Sequence, residues 1–189
     1  MSRLVKRCEW LKNDALYIKY HDKEWGVPIY NDAKIFELLL LETFQAGLSW
    51  ITILRKRKNF RKAFDKFDYQ KVANYSDEKL EDLRQDTGII RNRLKIKAAK
   101  TNAIAFIKVQ KEFDTFSKYI WNFVDGNSIQ NNFKSTSELP VNTPLSDKIS
   151  ADLKNRGFKF VGSTIVYAHM QAMGMVNDHT IDCFRYNEV

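Results

Sequence analysis

The sequence predicts an all-α fold in one compact unit. Apolar residues recur at helical spacing along most of the 189-residue chain. Capping residues and glycine stops punctuate those runs, and strict period-two alternation is scarce. No internal repeat or low-complexity tract interrupts the pattern.

The elements follow in order. Asn31-Asp32 offers a cap, and Ile35 to Gln45 reads as a strongly apolar helix. After Gly47 a second helix is expected through Trp50, Ile53 and Leu54 toward Phe60 and Phe64. Ser76 caps another, with Asp77 and Glu78 suited to its positive N-terminus and Leu80 and Leu83 on one face. Gly88 is expected to break that helix. The next carries Ile96, Ala99, Ala103, Ile104 and Ile107. The polar stretch from Asp125 to Ser146, with Gly126, Pro140 and Pro144, predicts a long loop. Ser146-Asp147 then starts a helix that Gly157 ends, and Val161 to Met173 forms the last one, closed by Gly174.

Hydrophobic residues make up 44% of the chain, enough for a real core, and the formal net charge is +8. Such an excess suits a polyanionic partner such as nucleic acid, although a solvated basic surface gives the same number. No stretch is apolar enough to span a bilayer, and Met1 to Cys8 lacks a signal-peptide core. The chain is therefore expected to be cytoplasmic and free of membrane. In a reducing compartment its two cysteines, Cys8 and Cys183, are more often free or metal-bound than paired.

Cys8, His21, His179 and Cys183 have the chemistry of a tetrahedral zinc shell. The His179–Cys183 spacing suits two ligands on one helical turn or tight loop, whereas Cys8 and His21 are widely spaced. Spacing alone leaves two buried thiols and two ordinary histidines equally open. A full shell would make the metal structural and tie the two chain ends together. His169, inside the last apolar helix, reads as a satisfied histidine rather than a ligand.

Glu42 lies in the run Phe36-Glu37-Leu38-Leu39-Leu40-Leu41-Glu42-Thr43-Phe44. Facing the apolar side it would be poorly hydrated and suited to gripping a cation; facing the edge it would be an ordinary solvated glutamate. Trp10, Tyr17, Tyr20, Trp25 and Trp50 cluster in the same part of the sequence. Tryptophan faces bind cations and flat heterocycles, so with Glu42 an aromatic base pocket is plausible beside simple core filling. The turn around Gly88, followed by Arg91, Arg93, Lys95 and Lys97, could hold a phosphate through backbone N–H groups and charge. Arg55-Lys56-Arg57-Lys58 could also approach DNA, but reads rather as a solvated surface run.

Five blocks turn these fragments into a resemblance: Tyr17-Ile18-Lys19-Tyr20-His21-Asp22-Lys23-Glu24-Trp25-Gly26-Val27-Pro28, Gln45-Ala46-Gly47-Leu48-Ser49-Trp50-Ile51-Thr52, Gly88-Ile89-Ile90-Arg91, Arg156-Gly157-Phe158-Lys159-Phe160-Val161-Gly162 and Asn177-Asp178-His179. In these the chain resembles the DNA-3-methyladenine glycosylase I family of the helix-hairpin-helix superfamily, nearly end to end. The resemblance implies one glycosylase domain over 1–189. The helix-hairpin-helix element would cover about 76–106, and zinc-binding segments about 8–21 and 179–183. It implies structural zinc on Cys8, His21, His179 and Cys183. Glu42 and Tyr20 would hydrogen-bond a flipped base, Glu42 being the candidate catalytic group. Trp50 would stack on the base, with Trp10 and Trp25 lining its pocket. Gly47 and Leu48 would plug the gap in the duplex, and Gly88, Arg91 and Arg93 would contact DNA.

The implied activity is hydrolytic release of 3-methyladenine from double-stranded DNA; for an enzyme that scans DNA, a monomer is the default expectation. The hairpin lacks the Pro-Gly-x-Gly pattern of the wider superfamily, and no residue is assigned as that superfamily's aspartate. Two rival readings fit the same residues. One is a module that binds damaged DNA without cutting it; the other is a zinc hydrolase with an open metal position.

Overall fold

The computed structural model describes residues 5–189. The reading of Met1 to Leu4 as part of a leaderless start lies outside that range. The described residues form nine α-helices: α1 (Ala15–Lys23), α2 (Asp32–Gln45), α3 (Trp50–Ala63), α4 (Tyr69–Ala73), α5 (Asp77–Gln85), α6 (Arg93–Phe113), α7 (Phe116–Trp121), α8 (Pro144–Asn155) and α9 (Ser163–Ala172). Two short strands, β1 (Ile129–Gln130) and β2 (Val176–Asn177), pair in parallel.

Helix α2 occupies the centre. Asn31 caps it by accepting from the Lys34 N–H, and every side chain from Ile35 to Phe44 is buried. A helix apolar all round needs partners all round, and α3, α6, α7 and α9 pack against it. Asp32 ties its start to α7, accepting from the Phe116 and Ser117 N–H groups at 2.8 Å.

Several expected boundaries move. Helix α5 already ends at Gln85 with Asp86 as C-cap, so Gly88 lies in the turn and does not break the helix. Helix α8 begins at Pro144, capped by Thr143, because proline fits the first turn where no N–H is needed. Ile104, placed on the apolar face of α6, is exposed. The 125–146 stretch is mostly loop but also supplies β1 and a 3-10 turn over Thr136–Glu138.

The end of α9 presses on the segment before α2. Gly174 has φ +72°, and a Cβ there would lie 2.4 Å from Pro28 N and Val27 C. Gly26 donates to Gln171 O and Ile29 to Met173 O. Glycine is required here both by φ and by space, and this close approach joins the segment between α1 and α2 to the end of α9.

Candidate functional site

A cavity of about 250 Å³ opens beside α2, lined by Trp10, Tyr20, Trp25, Glu42 and Trp50. All five sequence-predicted pocket residues therefore meet in one place. Tyr17, Gln45, Thr136, Leu139, Ala168 and Gln171 complete the wall. Thr136 and Leu139 come from the 125–146 loop, and Ala168 and Gln171 from α9. No local pattern marks them, because only the tertiary fold brings them to α2.

Glu42 sits on the cavity face of α2, 3% exposed, and its Oε2 has no hydrogen-bond partner among the described residues. Burial alone pushes its carboxyl up to about 8, because no cation or donor compensates the lost hydration. Tyr20 stands near it. Desolvation, with the Glu42 charge adding to it, raises the phenol well above its usual value, so Tyr20 remains a hydroxyl. The Tyr20 and Trp50 rings lie 5.5 Å apart at 55°. The indole nitrogens of Trp10 and Trp50 are also buried without a partner. Buried polar atoms are normally paired. Unpaired atoms around one cavity, an acceptor and two donors, fit a flat heterocycle carrying positive charge.

Behind the aromatic wall, Cys8, His21, His179 and Cys183 place their donor atoms within 4.8 Å of one another, all four buried. His21 Nε2 lies 3.1 Å from His179 Nδ1 and 3.4 Å from Cys183 Sγ. Cys8 Sγ and Cys183 Sγ lie 3.7 and 3.6 Å from His179 Nδ1. The opposite ring nitrogens are also engaged. His21 Nδ1 meets Asp22 Oδ1 at 2.8 Å, and Arg7 grips Asp22 through Nε and Nη2. His179 Nε2 faces Trp25 O at 3.2 Å. Such acceptors fix the tautomer that leaves the facing nitrogens as ligands. The cysteines bias each other: Cys183 is drawn down by Cys8 and both imidazoles, and Cys8 is pushed up by Cys183 and burial. The cluster can hold a metal ion. Asp22 and Arg7 went unnoticed in the sequence, although Asp22 directly follows a candidate ligand.

Pocket and cluster share a wall. Trp10 contacts the His21 ring edge-on at 5.6 Å, and Trp25 contacts His179 at 4.7 Å. His169 is elsewhere, buried against Ile35 O at 3.2 Å, and desolvation lowers it to about 4.

Gly47 and Leu48 form an exposed turn between α2 and α3; Gly47 has φ +82°, and Leu48 is 40% exposed. Gly88 lies in the 86–92 turn between α5 and α6, where its N–H donates to Asp86 Oδ1 at 2.7 Å. Arg91 and Arg93 are exposed beside it. Two basic-residue expectations fail. Lys95 is buried and bonded to backbone carbonyls rather than free for a phosphate. Arg57, placed in a solvated run, is buried and donates to Glu37 at 2.7 Å and Glu24 at 2.6 Å, because α3 turns that residue toward α2.

Comparison with known proteins agrees with this geometry. The family described as methyladenine glycosylase matches residues 10–186. DNA-3-methyladenine glycosylase 1 of Escherichia coli strain K12 is 48% identical over 182 residues, covering 96% of this chain and 97% of that one. The DNA-3-methyladenine glycosylase of Haemophilus influenzae is 43% identical over 95% of this chain and 97% of its own. A crystal structure of a tyrosine-to-phenylalanine variant of 3-methyladenine DNA glycosylase I in complex with 3-methyladenine superposes with a TM-score of 0.92 at 32% identity, over 94% of this chain and 96% of that one. With its matched length and its cavity both pointing one way, the chain belongs to the methyladenine glycosylase family.

Proposed function

We infer that this chain is a DNA repair glycosylase that flips 3-methyladenine out of alkylated duplex DNA and hydrolyses its bond to the sugar. One observation carries the reading furthest: an unpartnered, buried glutamate on the wall of an aromatic cavity. The relatives' names and the base bound in a similar structure support the same substrate.

Methylation at N3 gives adenine a positive charge and makes it a good leaving group. As the C1′–N9 bond breaks, its electron pair neutralises the base, and water supplies the new C1′–O bond. Products are free neutral 3-methyladenine, an abasic sugar and one proton, which the attacking water gives up to solvent. The cationic base draws the Glu42 carboxyl into its ionised form, which attracts the cation and accepts a hydrogen bond; Tyr20 contributes a neutral hydroxyl; Trp50 stacks on the base, with Trp10 and Trp25 lining the site. Unmodified adenine lacks the charge and forgoes these gains. Because positive charge leaves the base during bond cleavage, the Glu42 anion favours the bound base over the leaving one. Its main work is therefore selection and retention.

Zinc is the metal proposed for Cys8, His21, His179 and Cys183. Zn–N bonds of about 2.0–2.1 Å and Zn–S bonds of about 2.3 Å imply tetrahedron edges of roughly 3.3–3.8 Å, close to the 3.1–3.7 Å that separate four pairs of these donors. Bound there, zinc would supply structural cross-linking of the chain ends, with all four positions filled by protein. The donor set disfavours an open hydrolytic site.

DNA would lie across the two exposed turns, with Gly47 and Leu48 filling the gap left by the base. Gly88, Arg91 and Arg93 would hold phosphate at a helix-hairpin-helix element of about 76–106. One domain, acting as a monomer in the cytoplasm, completes the proposal. No described helix is long and apolar enough to cross a membrane.

The test is incubation with methylated duplex DNA and chromatography of what is released. Free 3-methyladenine is expected. Retained DNA binding without any released base would favour a recognition module instead.

A further inference from the structure

Two lysines, one read as a DNA contact and one as a solvated surface charge, are instead bonded to backbone carbonyls of the protein. Helix α2 ends at Gln45, and its last carbonyls have no partner along the helix. The Lys95 ammonium reaches them from α6, donating to Phe44 O at 2.9 Å and Ala46 O at 2.6 Å. Lys95 is only 6% exposed, so these carbonyls are its main compensation for lost water. A cation at a helix C-terminus also meets the negative end of the helix dipole.

The second contact runs the opposite way. Lys56, on α3, donates to Thr87 O at 3.1 Å and Gly88 O at 3.2 Å. Asn59, three residues and so nearly one turn further along α3, donates to Gly88 O at 3.3 Å. A Cβ on Gly88 would stand 3.1 Å from the Asn59 side chain, so the 86–92 turn is seated closely on α3.

The helix leaving each turn therefore carries the lysine that holds the other. Helix α3 follows the 46–49 turn and holds the 86–92 turn; α6 follows the 86–92 turn and holds the end of α2. Helices α2 and α3 also carry Glu42 and Trp50 on the cavity wall.

We propose that Lys95 and Lys56 are reciprocal positioning residues that fix the 46–49 turn against the 86–92 turn, so that gripping the DNA backbone places the target nucleotide over the pocket. Neither ammonium binds phosphate. This rests on the glycosylase reading for its functional consequence, but the brace itself is readable without it.

The test uses the full chain with Lys95→Met and Lys56→Met, which keep the stem and remove the charge. Lys56 is half-buried, so its variant serves if Lys95→Met does not fold. Amide hydrogen exchange should quicken in the 46–49 turn for Lys95→Met and in the 86–92 turn for Lys56→Met. Binding of free 3-methyladenine, read by tryptophan fluorescence, should stay within about twofold of wild type, while single-turnover release from alkylated duplex falls about 10- to 100-fold, as for a misplaced substrate. The salt dependence of DNA binding should keep its slope, whereas loss of a phosphate contact lowers it by about 1. Unchanged exchange, unchanged release, equal losses in base binding and release, or a reduced salt slope would each overturn the proposal. If wild-type protein releases no base, the glycosylase reading fails, and exchange alone decides the brace.

Discussion

At the scale of single residues, Glu42 trades stability for recognition. Its carboxyl is held at about 8 by burial, above the ordinary glutamate value. A carboxyl raised in this way favours folding only while protonated in both states. That advantage is complete below the unfolded value and is lost as pH rises through the folded one. Glu42→Gln removes the cost of ionising in the folded chain. At pH 8.5 the variant should be more stable than wild type by at least about 1 kcal/mol, with the difference vanishing toward pH 4.5. Thermal melts across this range decide it; a pH-independent difference would mean that Glu42 is hydrated or paired. The sequence made Glu42 visible because one acid stood in an otherwise apolar run. It could not distinguish Lys95 and Arg57 from their exposed neighbours. In a basic run each charge looks alike until the helix phase and the facing carbonyls or carboxylates are known.

At the scale of elements, long helices with a cap and an apolar face were legible, and short ones were not. Helices α4 and α7 span five and six residues, too few for a periodic pattern to stand out. Helix α1 has mixed charge, and its capping by Asp14, which accepts from Leu16 N and Tyr17 N, is its clearest local signal. The turns separate two kinds of glycine. Gly174→Ala would drive a Cβ into backbone at 2.4 Å, so it should cost several times the roughly 1 kcal/mol of positive-φ strain alone. Gly47 has the same sign of φ but nothing within 4 Å of a Cβ. Gly47→Ala should therefore cost only about 1–2 kcal/mol in urea unfolding while slowing base release from duplex DNA. Equal destabilisation at both positions would contradict this account of the two turns.

At the scale of the whole molecule, the cysteine–histidine cluster and the pocket are one construction. The cluster joins residues 171 positions apart, and the rings that cover it also line the cavity. As prepared, the protein should carry one zinc per chain by elemental analysis. Removing it with a strong chelator should lower Tm by roughly 10 °C and weaken binding of 3-methyladenine, because Trp10 and Trp25 lose their backing. Unchanged Tm after verified metal removal would argue against a structural role. The four ligands were readable as a candidate set, but their convergence was not, since spacing along the chain says little about ends that meet only on folding. The central claim is that a buried charge in an aromatic pocket selects a cationic base. Its most direct test is single-turnover release from methylated duplex DNA, with products separated by chromatography, for wild type beside folded Glu42→Gln. At sub-saturating protein, where capture of the base limits the rate, wild type should release 3-methyladenine and no adenine, and the variant should be slower by at least about tenfold, the worth of one charge-assisted hydrogen bond. Equal rates for the two proteins would contradict the account.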